Sequence, residues 1–115
     1  MTLKFENPEI QSFADLEEAI KERRFADAES ALIAISLEST DRRRIEMFCS
    51  SLLLGTQKLL RRVSILALAH VGRRFGVLKK TTHVLVNSFS SDLTLLSTIE
   101  DFNDDCEVFV STLEE

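Results

Sequence analysis

The stretch Gln57-Lys58-Leu59-Leu60-Arg61-Arg62-Val63-Ser64-Ile65-Leu66-Ala67-Leu68-Ala69-His70-Val71-Gly72-Arg73-Arg74-Phe75 decides the fold. Leu59, Leu60, Val63, Leu66, Ala67 and Val71 recur at helical spacing and make one wide apolar face. A helix apolar over most of its girth belongs at the centre of a domain. Gly76 closes it.

The flanking segments also read as helices. Before the central one, residues 42–54 place Ile45, Phe48, Cys49, Leu52 and Leu53 inward, after Thr40 or Asp41 as the N-cap. Gly55 is expected to end that helix in a left-handed cap. Asn7-Pro8 is a start signal, with Ile10, Phe13, Leu16 and Ile20 on one face and Arg23-Arg24 at the end. Residues 25–37 repeat the pattern with Phe25, Ala28, Leu32 and Ile35. After the central helix, a fifth is predicted from Lys79 or Thr81 to Phe89, carrying Val84, Leu85 and Phe89. Its β-branched Thr and Val residues suit a strand as well. Ser91-Asp92 is read as the cap of a sixth helix with the stripe Leu96, Ile99, Phe102, Cys106, Phe109 and Leu113. Six helices with short connections make a single all-α domain of antiparallel hairpins over residues 1–115.

Composition agrees. One Pro and three Gly in 115 residues leave little turn punctuation. Cys49 and Cys106 stand among apolar residues and read as buried thiols. The apolar runs Leu52-Leu53-Leu54 and Ile65-Leu66-Ala67-Leu68-Ala69 are too short to cross a bilayer, so no membrane partner is expected. No secretory leader pattern opens the chain, and a cytoplasmic location is the expectation.

Charge is segregated. Residues 1–40 hold nine acids against four bases, residues 41–80 two acids against ten bases, and residues 81–115 eight acids and no base. The whole chain carries −5. On a helical wheel Asp101, Asp104, Asp105 and Glu107 fall away from the Phe102-Cys106-Phe109 stripe. This anionic face is either solvated, paired with Arg61, Arg62, Arg73 or Arg74 next door, or open to a partner. Like charges three or four apart destabilise a helix by a few tenths of a kcal/mol per pair. Pairing with bases and binding a partner account for that cost equally well.

Other chemistry finds less support. The three aspartates suit an oxygen-loving ion, but no Glu-x-x-His pair accompanies them, and no metal or cofactor is expected. His70 and His83 sit among apolar neighbours without a nucleophile or carboxylate at recognisable spacing, so no catalytic residue is assigned. Arg42, Arg43 and Arg44 fan over three helix faces and make no single patch for nucleic acid. A helical scaffold or nucleic-acid adaptor that uses the arginine-rich centre remains the alternative reading.

Leu60 to Gly72, with Arg61 near the helix start and Ser64 where an Ala is usual, is similar to a helix of the HEAT-repeat family. This chain has Thr56-Gln57-Lys58 where that family places Asp-Pro. Glu100-Asp101 with Asp104-Asp105-Cys106-Glu107 resembles the ending of small bacterial HEAT-like proteins, some of them immunity proteins of contact-dependent growth-inhibition and polymorphic toxin systems. The resemblance is strongest over residues 41–110. It implies a short α-solenoid and a non-enzymatic antitoxin that covers the basic cleft of a cognate toxin domain, a nuclease. The implied interface is Asp101, Asp104, Asp105 and Glu107, with Glu17, Glu18 and Glu22 of the first helix.

Overall fold

The computed structural model describes residues 8–115, with side chains from Phe13 onward. The expected Asn7 cap and the Ile10 side chain lie outside the described residues. The helices are α1 (Pro8–Lys21), α2 (Phe25–Glu38), α3 (Arg42–Leu54), α4 (Lys58–Phe75), α5 (Lys80–Asn87) and α6 (Leu96–Phe109). Two short strands, β1 (Val77–Lys79) and β2 (Thr112–Glu114), complete the domain.

The central role of α4 holds. It packs on α2, α3 and α6, and α1 packs on α2. Leu60, Val63, Ile65, Ala67, Leu68 and Val71 are buried from several sides at once. Leu66 is a correction: it is 36% exposed, and Ile65 and Leu68 fill the core in its place. Positions 62, 66 and 73 fall on one helical stripe, and Arg62 and Arg73 are exposed with Leu66. Both cysteines are free and buried. Burial pushes the Cys106 thiol up to about 11 and Cys49 higher still, so neither is a nucleophile at neutral pH.

Helix ends follow local chemistry. Asp41 caps α3 by accepting from the Arg44 amide at 3.2 Å. Gly76 ends α4 at φ +67°, the left-handed turn that glycine adopts without penalty. Gly55 corrects the expectation, because its φ of −78° is extended. Arg61 Nε donates to the Gly55 carbonyl at 2.7 Å, so a side chain fixes the turn between α3 and α4. Helix α1 stops at Lys21, and Arg23 takes a left-handed φ of 59° beyond it.

The last third departs most from expectation. Asp92 does not cap α6; its carboxylate accepts from the Thr94 amide at 2.9 Å and hydroxyl at 2.6 Å, closing a turn ahead of the helix. Leu95 is buried, whereas Phe109 and Leu113 are 47% and 41% exposed, so the buried stripe of α6 is Ile99, Phe102 and Cys106. Helix α5 ends before Phe89, and it buries Val86 rather than Val84. The strands pair in parallel, with Val77 opposite Thr112 and Lys79 opposite Glu114.

One buried acid locks this corner. Glu46 of α3 is 2% exposed. Its carboxylate accepts from the Arg42 guanidinium and, at 2.9 Å, from the Lys79 amide of β1. Arg42 also reaches Glu114 of β2 at 2.9 Å. Both strands are thus bound to α3 through one charge network. The Arg42 guanidinium, aided by Arg43, holds the Glu114 carboxyl below its usual range.

Removing one member of a buried pair strands its partner. Glu46→Ala should lower unfolding free energy by about 3–5 kcal/mol in urea titration, and Arg42→Met with Glu46→Leu should recover most of that loss. A lowered carboxyl pKa stabilises the fold above the unfolded value, and the contribution disappears as pH falls through the folded one. The melting-temperature gap between the wild type and Glu114→Gln should therefore be widest near neutrality and close on acidification.

Candidate functional site

Helix α6 turns Ile99, Phe102 and Cys106 onto α4, and its opposite side faces solvent. Asp101, Asp104 and Glu107 are exposed there, and Asp105 is half-buried. Asp101, Asp104 and Asp105 share a groove of about 410 Å³ between α4 and α6. Leu66, Ala69 and Arg73 form its α4 wall, and Thr98 and Phe102 complete the α6 side.

Of the four α6 candidates, one is answered by a base among the described residues: Arg73 Nε lies 3.4 Å from Asp105 Oδ2. The side chains of Asp101, Asp104 and Glu107 have no ion pair or hydrogen bond there. The other arginines next door are engaged elsewhere or point to solvent. Arg74 donates to the carbonyls of Ser36 and Ser39 at 2.9 and 2.8 Å, satisfying the end of α2. Arg61 holds Gly55 and lies 5.3 Å from the Phe89 ring. Arg62 is exposed.

His70 belongs to the same cluster. Arg73 Nη2 donates to His70 Nδ1 at 3.0 Å, which puts any ring proton on Nε2. Burial first, and the Arg73 charge second, lower the His70 pKa, while Asp105 works in the opposite sense. The imidazole is neutral at neutral pH and orients Arg73 toward Asp105. His83 packs its ring 5.8 Å from Phe102. Reciprocal amide bonds between Asn87 and Asn103, at 3.1 and 2.8 Å, tie α5 to α6.

The first-helix acids sit apart from this groove. Glu17 and Glu18 are exposed on α1, and Glu22 beyond its end pairs with Arg24 at 2.8 Å. Because α1 packs on α2 and α6 on α4, the two acidic surfaces belong to different edges of the helical layer.

Leu66, Glu29 and Glu38 went unnoticed as surface features in the sequence. Leu66 was masked by the apolar richness of its helix; its place between Arg62 and Arg73 on one stripe was the available signal. Glu29 and Glu38 border a second groove, between α2 and α4, that also includes Leu66. A separate cleft of about 480 Å³ gathers Arg43, Arg44 and Lys79 around the carboxylates of Asp41 and Glu46. Its carboxylates already have structural tasks, since Asp41 caps α3 and Glu46 is held by Arg42 and the Lys79 amide.

Among the described residues, no helix is long and apolar enough to cross a membrane. Comparison with protein-family models, curated proteins and solved structures returns no match.

The cluster geometry predicts a sign. Asp105→Asn should lower the His70 pKa further in an imidazole NMR titration, because it removes the one group that raises it. A rise would contradict the Arg73-centred arrangement.

Proposed function

We propose that this chain is a non-enzymatic immunity-type protein that neutralises a bacterial toxin domain by covering a basic cleft with the acidic face of α6. The observation that carries the reading is the unanswered charge of Asp101 and Asp104. The adjacent helix offers four arginines, and only Arg73 turns to α6, meeting Asp105. An anionic face left open within the domain is the physical complement of a cleft built to hold phosphates. It accelerates encounter and competes with the nucleic-acid backbone, which favours a nuclease as the toxin. The likeness of Glu100 to Glu107 to the ending of HEAT-like immunity proteins points the same way and extends the proposal to a short solenoid acting in the cytoplasm. Glu107 joins the proposed interface; Glu17, Glu18 and Glu22 would serve a second contact from α1.

The alternative, a nucleic-acid adaptor built on the central arginines, is less favoured. Arg42, Arg61, Arg73 and Arg74 make contacts within the domain that a phosphate-binding role would have to replace.

Growth protection is the test. Cells expressing the toxin domain encoded beside this chain's gene should survive when the wild-type chain is present. Asp101→Lys with Asp104→Lys alters only exposed, unpaired side chains, so folding should persist while affinity and its salt dependence both fall. Unchanged affinity and salt slope in that variant would remove the acidic face from the interface.

A further inference from the structure

The two grooves on either side of α4 meet at one residue. Leu66 lines the α4–α6 groove with the three aspartates and the α2–α4 groove with Ile33, Ala34 and Leu37. Leu37 is 50% exposed and Leu66 36% exposed, so an apolar strip runs across the middle of the three-helix face. Acids stand on both flanks: Glu29 and Glu38 on the α2 side, Asp101 and Asp104 on the α6 side. Arg73 is taken up by Asp105 and His70, which leaves Arg62 as the exposed base on the α4 stripe.

We infer that this face seats an amphipathic helix of the partner, with its apolar stripe on Leu37 and Leu66 and its Lys and Arg flanks against the two acidic borders. The inference rests on the reading of α6 as a protein-binding face, and it specifies what that face binds. An apolar centre inside a charged rim is the general anatomy of a protein interface. A groove between parallel ridges of helix is the recognition mode that accepts a helix by its i, i+3 or i+4 and i+7 anchors. Charge selects the occupant. A second copy of this chain would bring acid against acid, and a nucleic acid or an anionic lipid surface would bring phosphates against carboxylates. A helix with basic flanks satisfies both borders and the strip.

Two synthetic peptides of about five helical turns test this. The first is an amphipathic helix with a leucine stripe flanked by lysines. The second has the same charges with serine in place of every leucine. Binding to the full chain is read by fluorescence anisotropy at physiological salt. The wild type should bind the leucine peptide at least about tenfold more tightly than the serine peptide, the effect of roughly one anchor residue. Leu37→Ser with Leu66→Ser removes exposed side chains, so the core stays closed. That variant should bring the leucine peptide to the level of the serine peptide without changing the latter. Asp101→Lys with Asp104→Lys should weaken both.

Equal binding of the two peptides by the wild type overturns the apolar strip and leaves a purely electrostatic face standing. No binding of either peptide overturns the inference. If the charge reversal also leaves toxin binding untouched, the acidic-face reading falls with it. A homodimer that Leu66→Ser dissociates overturns the inference in favour of a second copy as the occupant.

Discussion

The buried carboxylate of Glu46 is the constraint on which the C-terminal third depends. A charge at 2% exposure is tolerated only when its oxygens are answered. The Arg42 guanidinium and the Lys79 amide answer them, and each belongs to a different element. That requirement places β1 on α3, β1 places β2 by parallel pairing, and Arg42 closes the circuit through Glu114. Close approach reinforces it: a Cβ on Gly72 would stand 3.0 Å from the Val110 side chain, so a larger residue there would push on the segment leading to β2.

The same economy of charge leaves α6 anionic. A chain with ten bases in its middle and eight acids at its end could have neutralised one with the other. It does so only in part: Arg42 and Arg43 meet Glu114, Lys80 meets Glu115 and Arg73 meets Asp105, while other bases serve backbone and core. Arg74 satisfies carbonyls at the end of α2, Arg61 fixes the turn at Gly55, and Arg44 lies 4.1 Å from the Phe13 ring. Only Arg73 crosses to α6, and His70 orients it there. With Arg61 and Arg74 so engaged, no base among the described residues pairs with Asp101 or Asp104.

The central helix was legible in the sequence because burial on several sides needs a wide apolar face, and that width survives any error in helix ends. The anionic face of α6 was legible for the corresponding reason: charged residues at those spacings had to leave the Phe102-Cys106 side. The strands were not. Each is three residues long and exists through pairing between Val77–Lys79 and Thr112–Glu114, which no local pattern encodes. Ser91-Asp92 misled because an Asx turn and a helix cap use the same side-chain chemistry. Which acids would be neutralised was equally hidden, since the carbonyl partners of Arg74 lie on a helix far away in sequence.

Carboxylate footprinting by carbodiimide labelling and mass spectrometry tests the central claim most directly. In the free protein, Asp101 and Asp104 should label readily and Glu46 should resist. With the proposed toxin domain bound, Asp101 and Asp104 should become protected. Full labelling of Asp101 and Asp104 in the complex would contradict that claim.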